Sequence, residues 1–370
     1  MRVLVSGGGT GGHIYPALAI VDALREVDSS IEVLYAGTAD GLEARLVPER
    51  GIRFEAIESG GLIRLSLWRK VAGVVRAARG VLQACRLIGA FRPDVVVGTG
   101  GFVSGPVLLA AILRGVPTLI QEQNAFPGST NRWLAPFVDL VCLAFDEGRR
   151  YISPRASCLV TGNPVRRELV QLSPEAGFAR LGFQPDLPLV YATAGSRGAA
   201  SLTAAMAEVA ARLAADTRFQ LLWATGQRYH PEAVERLKQL GVDTEQTSHI
   251  RVVPFVSDAP AAFAACSLAI GRSGASTVSE LAAVGRPSIL VPSSHTTHNH
   301  QEYNARLLER AGGAVVIPDA GLTGDRLWRT ILELLADEQG LRDMADRARA
   351  MGRPNAASEI AQAIRGLVRR

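Results

Sequence analysis

Cysteine and long hydrophobic runs are the two features that this 370-residue chain most plainly lacks. Its four cysteines (Cys85, Cys142, Cys158 and Cys266) lie far apart, without a CxxC pair or a histidine at metal-binding spacing. We therefore expect buried thiols in a reducing cytoplasm. The most apolar stretch, 95–113, is interrupted by glycine and proline, whereas a membrane-spanning helix needs roughly 20 apolar residues. Any membrane contact is thus expected to be peripheral.

Blocks of basic residues and aromatic-rich basic stripes are also missing, so nucleic acid is not an expected partner. The chain has 40 Lys and Arg against 35 Asp and Glu, a net charge of +5, which favours an anionic ligand or surface. No charged segment with a cleavage site precedes the first strand pattern, so secretion is not expected. With 48% hydrophobic and 20% charged residues, the chain can bury a large core, and its length favours two domains.

Short β-branched runs alternate with longer helical patterns in two series. The first series comprises 2–6, 31–37, 94–100, 117–123 and 140–145, and the second comprises 187–199, 219–226, 250–255, 268–274, 287–292 and 314–318. Strands followed by glycine-bearing turns and helices predict βαβ units in a parallel sheet. Between the series, the pair Asn163-Pro164 is typical of a linker. We therefore predict an α/β protein with two Rossmann-like halves that face one another across a cleft, with ligands at the carboxyl ends of the strands.

The turn after the first strand reads SGGGTGGHIYP (6–16) and completes neither of two phosphate-binding motifs. Its G-x-G-x-x-G spacing fits the dinucleotide fingerprint, but the second strand ends at Gly37 without the Asp or Glu that would bind a ribose. A Walker loop would have lysine and then serine or threonine where His13 and Ile14 stand. What remains is a loop of backbone amides with one imidazole at the start of a helix.

His13 has two possible roles. A lone histidine at a helix start often does no more than hydrogen-bond to the backbone, and this interpretation stays open. Its position after a strand, beside five glycines, favours a functional role. Since a helix N-terminus disfavours positive charge, we expect a neutral imidazole that is able to accept a proton.

Two segments of the second series again have a strand, a glycine-bearing turn and a helix start in that order. The turn AGSRGA (194–199) offers amides, a hydroxyl and a guanidinium to an anion, or is an ordinary turn with Arg197 in solvent. The turn GRSGASTVSE (271–280) places Glu280 about one turn into a helix if Ser276 is the N-cap. That carboxylate either accepts two hydrogen bonds from a ribose diol or complements the helix dipole, which contributes about 0.3–1 kcal/mol.

A polar loop follows at 292–305, where His295, His298 and His300 precede Gln301. The histidines lack the i, i+4 pairing of helical zinc motifs, so a metal site is the less favoured interpretation. A loop that binds sugar hydroxyls is favoured, with Gln301 as both donor and acceptor.

Taken together, six motifs resemble the peptidoglycan N-acetylglucosaminyltransferase family (MurG). In chain order they are GGTGGHIYPA (8–17), GGFVSGP (100–106), EQNAFPG (122–128), GNPVR (162–166), SGASTVSE (273–280) and NHQEYNA (299–305). Each is weak alone, but six in family order across nearly the whole chain are specific. The resemblance implies an inverting transfer of N-acetylglucosamine (GlcNAc) from UDP-GlcNAc to the muramyl 4-hydroxyl of undecaprenyl-diphosphate-MurNAc-pentapeptide, in peptidoglycan synthesis.

The fold implied by this resemblance is GT-B, with two Rossmann-like, doubly wound parallel-sheet domains and the active site in the cleft. The expected boundaries are 1–163 for an acceptor- and membrane-binding domain and 164–349 for a UDP-GlcNAc-binding domain. A C-terminal helix at about 350–370 would cross back to the first domain. The resemblance also implies a peripheral protein on the cytoplasmic face of the bacterial cell membrane.

Site residues are carried over from the matching motifs. For the donor, Arg166 and Ser196 would contact the diphosphate, Val256 the uracil through its backbone, Glu280 the ribose, and Gln301 with Asn124 the GlcNAc hydroxyls. Thr10, Gly11 and Gly12 would face the donor sugar and the acceptor diphosphate, and His13 would be the base on the muramyl 4-hydroxyl. Gly9, Gly101, Ser104 and Gly105 are expected at the acceptor diphosphate and lipid.

One turn departs from the family pattern. The family usually has Gly-Gly-Ser-Gln-Gly-Ala where this chain has AGSRGA, so Arg197 introduces a cation that either strengthens diphosphate binding or points outward. No metal and no other cofactor is expected, because amides, a helix N-terminus and Arg166 would meet the charge of the leaving UDP. The chain also has no Asp-x-Asp pair of the kind that GT-A enzymes use to hold manganese.

The segment 68–91 is the candidate membrane contact. Its apolar residues Val71, Val74, Val75, Leu82 and Cys85 recur at helical spacing among Arg69, Lys70, Arg76, Arg79 and Arg86. Most of this stripe is expected to pack on the sheet as the apolar face of an amphipathic helix. An exposed remainder would bind anionic lipid, with each arginine contributing ~1 kcal/mol.

Two other functions stay open at this point. A GT-B transferase with another acceptor, such as a diacylglycerol or an antibiotic aglycone, would share the donor motifs. A non-catalytic UDP-sugar-binding protein would keep Glu280 and Gln301 without needing His13. Release of UDP with and without a lipid acceptor would separate these functions.

Overall fold

The β-branched runs of both series form strands in the computed structural model. The structure describes residues 1–60, 67–195, 198–243 and 247–368, with the side chains of 67–72, 74 and 297 outside that description. The chain divides into two units, Met1–Val165 with Arg353–Arg370, and Arg166–Gly352. The sequence predicts the first boundary after Asn163 and the return at about 350, close to these positions.

The first unit is built on a parallel sheet. Its described strands are β1 (Arg2–Gly7), β2 (Glu32–Gly37), β3 (Arg53–Ala56), β4 (Val95–Gly100), β5 (Thr118–Glu122), β6 (Leu140–Leu143) and β7 (Cys158–Val160). Its helices up to the linker are α1 (Gly11–Val27), α2 (Glu43–Glu49), α3 (Leu67–Phe91), α4 (Ser104–Leu113) and α5 (Ser129–Leu134), with 3-10 turns at Ala135–Phe137 and Asp146–Tyr151. The strand order is β3-β2-β1-β4-β5-β6-β7.

The second unit has a parallel sheet of its own. Its described strands are β8 (Leu189–Thr193), β9 (Gln220–Ala224), β10 (Ile250–Val253), β11 (Leu268–Gly271), β12 (Ser288–Leu290) and β13 (Ala314–Val316). Its helices are α6 (Glu168–Gln171), α7 (Pro174–Leu181), α8 (Ala200–Ala214), α9 (His230–Gln239), α10 (Ala259–Ala265), α11 (Ala275–Val284), α12 (His300–Arg310), α13 (Gly324–Ala336) and α14 (Glu338–Met351), with 3-10 turns at Thr297–Asn299 and Asp319–Gly321. The strand order is β10-β9-β8-β11-β12-β13.

Both sheets therefore have the doubly wound order, in which the chain reverses direction across the sheet between two central strands. The reversal lies between β1 and β4 in the first unit and between β8 and β11 in the second. Ligands of such sheets bind outside the carboxyl ends of the strands at this point. The predicted fold class, two doubly wound parallel α/β sheets, is confirmed, although the sequence did not reveal the outer strands β3 and β7.

Helices cover both faces of each sheet, which is why the central strands are almost continuously apolar. All six residues of β4 are buried. Alternate residues of β1 enter different layers, since Val3 and Val5 pack on the side of α1 whereas Leu4 packs on the side of α4. In the second unit, Trp223 of β9 and Met206 of α8 share one core. These cores hold the turns at the strand ends on rigid platforms.

The C-terminal helix α15 (Ala356–Val368) completes the first unit. Its residues Ile360, Ala361 and Ile364 are fully buried in the same core as α1. At the return of the chain, Gly162 has a φ of +88° and lies so close to Arg353 that a Cβ would be 2.3 Å from that side chain. Only glycine combines this conformation with so close an approach.

Among the helices of the described ranges, none is both long enough and apolar enough to cross a membrane.

Candidate active site

The glycine turns that follow β1 and β4 pack backbone against backbone. Gly8 donates its N–H to Gly100 O at 3.3 Å. A Cβ on Gly101, which has a φ of +82°, would lie 2.3 Å from Gly8 O. Glycine is therefore required here by both the backbone conformation and the close approach. Two motifs that are about 90 residues apart in the sequence thus form one surface.

His13 lies in the first turn of α1 and is half-buried against the end of β4. A Cβ on Gly100 would be 2.8 Å from its Nδ1, so the ring occupies the space that a side chain would fill. Nδ1 is 3.1 Å from Thr99 O and 2.9 Å from Gln123 Oε1. Thr99 also donates its hydroxyl to His13 O at 2.8 Å. The imidazole is thus oriented by uncharged groups from two neighbouring strand ends.

The other predicted residues of the first turn are accessible to a ligand. Gly9, Thr10 and Gly12 are exposed, and Gly11 is half-buried. Thr10 is the N-cap of α1, but its side chain makes no capping hydrogen bond. The exposed backbone N–H groups at this helix start suit a negatively charged ligand.

Ser104 and Gly105 begin α4, next to Gly101. Ser104 is fully buried, and its hydroxyl donates to Gly101 O at 3.0 Å. The side chain therefore stabilises the turn from within. Contact of this residue with an acceptor would have to be made by the backbone.

Glu43, in the first turn of α2, is a functional candidate that sequence analysis missed. It is fully buried, and its Oε2 accepts a hydrogen bond from Gly9 N at 3.1 Å. Its Oε1 accepts the N–H and the hydroxyl of Thr38 at 3.0 and 2.7 Å. Below the same turn, Tyr35 donates its hydroxyl to Gly7 O at 2.7 Å, and burial raises the pKa of that phenol. Buried polar groups thus support the glycine turn from the sheet side.

Glu122 performs the same task for the loop that carries Asn124. Oε1 accepts the backbone N–H of Asn124 at 2.9 Å and its side-chain amide at 3.2 Å. Oε2 accepts Gly128 N at 3.0 Å and the Asn131 amide at 2.6 Å. Asn124 is half-buried and held by this carboxylate, while Glu122 was visible in the sequence only as part of the EQNAFPG motif.

In the second unit, Arg166 and Glu280 come together from positions 114 residues apart. Arg166 Nη2 lies 3.4 Å from Glu280 Oε1, with the arginine more exposed than the glutamate. Gly274 is the N-cap of α11, so Ser276 is not the cap, and Glu280 lies in the second turn. Burial raises the pKa of the Glu280 carboxyl above its ordinary value, and the Arg166 guanidinium partly offsets that rise.

Arg272 connects three turns of the second unit and was not singled out from the sequence. It donates to Val291 O at 3.0 Å, to Asp319 Oδ1 at 2.8 Å and to Ser201 Oγ at 2.8 Å. Burial alone would raise the pKa of Asp319, but the Ser201 hydroxyl and the Arg272 guanidinium outweigh it, and the pKa lies below its ordinary value. This half-buried pair fixes the ends of β11 and β12 relative to the start of α8.

Gln301, the second residue of α12, is already partly engaged. Its Oε1 accepts Ser293 N at 2.8 Å, and its carbonyl accepts the Ser273 hydroxyl at 2.8 Å. Its amide nitrogen still has two hydrogens to donate. His298 and Asn299, just before it, have φ angles of 55° and 52°, and left-handed residues of this kind concentrate at functional sites.

The remaining predictions have less structural detail. Ser196 and Arg197 lie outside the described residues, between Gly195 and Gly198, which both have positive φ angles. A Cβ on Gly198 would be 2.5 Å from Thr225 O, so this turn lies against the end of β9. Val256 is buried shortly after β10. Over the described ranges, no three His, Cys, Asp or Glu side chains converge as a metal site, and this includes the loop with His295.

Comparisons with known proteins agree with this arrangement. The glycosyltransferase family 28 N-terminal domain matches residues 3–143, and the family 28 C-terminal domain matches residues 189–360. A UDP-N-acetylglucosamine--N-acetylmuramyl-(pentapeptide) pyrophosphoryl-undecaprenol N-acetylglucosamine transferase from Moorella thermoacetica is 44% identical over 98% of both chains. The protein of the same name from Desulforamulus reducens is 41% identical over the full length of both.

A solved structure agrees as well. The crystal structure of Acinetobacter baumannii MurG is 29% identical, covers 99% of both chains and superposes with a TM-score of 0.79. The chain therefore belongs to glycosyltransferase family 28 and, within it, to the MurG family of N-acetylglucosamine transferases.

Proposed function

We propose that this chain transfers GlcNAc from UDP-GlcNAc to the muramyl 4-hydroxyl of undecaprenyl-diphosphate-MurNAc-pentapeptide, with inversion at the anomeric carbon. The observation that carries the proposal is the 44% identity over 98% of both chains to the Moorella thermoacetica enzyme, whose name states this donor and this acceptor. In this proposal His13 of the first unit takes the proton of the acceptor hydroxyl. Arg166 and Glu280 of the second unit bind the donor nucleotide.

His13 acts on the acceptor in this proposal. It takes the proton of the 4-hydroxyl while that oxygen attacks the anomeric carbon of GlcNAc. General-base assistance of this kind contributes typically ~10²–10⁴-fold. The acceptor diphosphate binds the N–H groups at the starts of α1 and α4, from Thr10 on one turn and from Gly101 to Gly105 on the other, because helix N-termini stabilise anions. Gly9 lies beside this site, with its own N–H donated to Glu43.

Arg166 and Glu280 bind the donor. The two groups are 3.4 Å apart, and the ribose and diphosphate of a nucleotide are likewise adjacent. Glu280 accepts two hydrogen bonds from the ribose diol, and Arg166 contacts the diphosphate. Val256 binds the uracil through its backbone, and Ser196 joins the diphosphate site on the strength of the family pattern alone.

The sugar and the leaving group complete the proposed site. Gln301 donates to a GlcNAc hydroxyl through its amide nitrogen, since its oxygen already accepts Ser293 N. Asn124 and the backbone of Gly11 and Gly12 contact the same sugar. The 15-residue helix α8 begins directly after the 195–198 turn, and its N-terminus, with Arg166, stabilises the charge that develops on UDP.

The proposal is tested by transfer of radiolabelled GlcNAc from UDP-GlcNAc into a short-chain analogue of the lipid-linked muramyl-pentapeptide. We expect label in the lipid, and UDP release that depends on this acceptor. A diacylglycerol and a no-acceptor sample are the controls. Equal UDP release in all three samples would contradict the proposed acceptor, and binding of UDP-GlcNAc without any turnover would favour a non-catalytic binding protein.

We also propose that α3 docks the protein on the cytoplasmic membrane surface. Its residues Gly80, Ala84 and Ile88 are buried, whereas Val75 and Leu82 are 46% and 62% exposed. Exposed arginines accompany the two apolar side chains, namely Arg76, Arg79 and Arg86. One face of the helix therefore packs on the unit, and the other offers apolar and basic groups to anionic lipid. Val71 and Val74, which were also expected in this stripe, have side chains outside the described residues.

Sedimentation with vesicles tests this docking. Phosphatidylglycerol vesicles should bind the wild-type protein, and the double change Val75→Ser with Leu82→Ser should reduce binding several-fold, because two apolar side chains are lost. Val27→Ser is the matched control, since Val27 is 47% exposed at the end of α1 in the same unit. Equal loss in both variants, or binding unaffected by salt, would contradict docking by this face.

A further inference from the structure

Gln123 is a fully buried polar side chain directly beneath the candidate base, and no role has been assigned to it so far. It follows the last residue of β5, so its backbone position is set by the sheet. Its Oε1 lies 2.9 Å from His13 Nδ1. The same ring nitrogen lies 3.1 Å from Thr99 O. Nδ1 therefore faces two oxygen atoms, and both belong to uncharged groups.

The orientation of the Gln123 amide is determined by its other contacts. Its Nε2 lies 2.7 Å from Thr99 O and 3.0 Å from Gln121 O. Backbone carbonyls can only accept hydrogen bonds, so the atom that faces them must be the NH₂ group. The oxygen of the amide then necessarily faces His13. This assignment depends on backbone atoms alone and holds for either orientation of the neighbouring Gln121 side chain.

The tautomer of His13 follows from this orientation. Both partners of Nδ1 are acceptors, so Nδ1 carries the hydrogen, and in a neutral imidazole the other nitrogen then has the lone pair. We infer that Gln123 is a positioning residue that, with Thr99 O, holds His13 as the Nδ1–H tautomer and leaves Nε2 as the proton acceptor. This inference rests on the proposed function, because it gives the ring nitrogen that receives the proton of the acceptor hydroxyl.

A neutral amide orients the ring without adding negative charge beneath it. The two buried carboxylates of the adjoining loops are engaged elsewhere: Glu43 binds Gly9 and Thr38, and Glu122 binds the loop of Asn124. Glycine at position 100 leaves the space in which the ring lies. The groups that orient the imidazole through Nδ1 are thus uncharged.

The test combines ¹⁵N NMR of histidine-labelled protein with steady-state kinetics. A bare ring nitrogen and a protonated one resonate at clearly different ¹⁵N frequencies, so the spectrum reports the tautomer. His13→Asn identifies the His13 signals among those of the six histidines. At mildly alkaline pH we expect Nδ1 protonated and Nε2 bare in the wild type. The opposite tautomer would overturn the inference without any variant of Gln123 having to fold.

Gln123→Met removes the acceptor but keeps a side chain of similar length. We expect signals of both tautomers and a kcat for transfer that falls about tenfold, the equivalent of one hydrogen bond, while the KM for UDP-GlcNAc changes less than about twofold. Thr118→Val is the matched control, because Thr118 is a buried polar residue at the opposite end of β5 whose hydroxyl binds Asp139. It should change neither the tautomer nor kcat.

The remaining outcomes separate the inference from the proposed function. A single tautomer and a normal kcat in Gln123→Met would overturn the positioning role. Mixed tautomers with a normal kcat would overturn it too, together with the assignment of His13 as base. Absence of transfer in the wild type would overturn the proposed function while the spectrum still decides the tautomer.

Discussion

The turn after β1 and the turn after β11 both lie beside the point at which the strand order of their sheet reverses, yet they are built differently. In the first, the group offered to a ligand is an imidazole held by neutral oxygens. In the second, it is a carboxylate paired with a guanidinium. Both turns have charged residues behind them, but the buried Glu43 supports the first through backbone amides, whereas the half-buried Arg272 and Asp319 support the second through an ion pair.

This difference matches the two halves of the proposed reaction. An attacking hydroxyl has to lose a proton, and a base serves best when its lone pair is available near the working pH. A nucleotide diphosphate has to be held and its developing charge stabilised, which fixed charges and helix N-termini do well. The same sheet architecture therefore supports either chemistry, and the side chains under each turn decide which one it is.

Removal of the imidazole should have the largest effect. We expect His13→Ala to lower kcat for GlcNAc transfer about 10²–10⁴-fold, because general-base assistance is lost. Binding of UDP should be unchanged, since in the proposal the nucleotide is bound by residues of the second unit. Transfer assays and calorimetric titration with UDP measure the two quantities. A normal kcat, or a loss confined to UDP affinity, would remove the assignment of His13 as base.

Replacement of the Glu43 carboxylate, which lies beneath the turn after β1, should have an intermediate effect on stability and kcat. Glu43 accepts donors at both oxygens, and in Glu43→Gln one of these donors would face an NH₂ group instead. An unpaired buried donor costs about 1–3 kcal/mol, so we expect the free energy of unfolding in urea to fall by about that amount, together with kcat. Glu49→Gln, at the exposed end of the same helix, is the control and should be nearly neutral. Equal stability of the two variants would mean that Glu43 does not support the turn.

The smallest of the expected effects is the pH dependence of uridine binding at Glu280 and Arg166. In the proposal Glu280 binds a ribose diol as the carboxylate, and burial raises its pKa above the ordinary 4.5. Affinity for uridine should therefore fall as the pH decreases through this raised pKa. Arg166 lowers the pKa, so Arg166→Gln should move the midpoint of this loss to higher pH. Uridine is the probe because it has no phosphate for Arg166 to bind.

The control for this titration is Glu280→Gln, in which the pH dependence of uridine binding should disappear. The raised pKa of Glu280 also makes the free energy of unfolding depend on pH in a definite direction. Because the folded protein holds this proton more tightly than the unfolded chain does, the contribution of Glu280 to the free energy of unfolding falls as the pH rises through the raised pKa. A midpoint that moves to lower pH in Arg166→Gln would contradict the pairing of these residues.

The strands that the sequence predicted are the ones with strong local patterns. Buried central strands such as β4 need apolar residues at every position, because helices cover both of their faces. The outer strands β3 and β7 are only partly buried, with short mixed sequences at Arg53–Ala56 and Cys158–Val160. Nothing in such a segment distinguishes it from a loop until its neighbouring strand is in place.

Helix caps and side-chain contacts in the candidate site show the same limit of prediction from local sequence. The glycine turns and His13 were predictable, because turns that need positive φ angles and helix starts have local signatures. The position of Glu280 was worked out from the sequence on the condition that Ser276 is the N-cap of α11, but Gly274 occupies that position. Glu43, Gln123 and the Arg272–Asp319 pair were not singled out, since each acquires its role only from partners 34 to 110 residues away or on another turn.

The sequence by itself determined the α/β class, the positions of the central strands and the turns that carry the candidate ligands, because hydrophobic periodicity and glycine chemistry act over a few residues. The tertiary structure alone decided which nitrogen of His13 bears its hydrogen, which carboxylates support backbone groups and which one pairs with Arg166. These outcomes depend on the order of parallel strands, which brings distant side chains to one edge of a sheet, and on burial, which makes every polar group there require a partner.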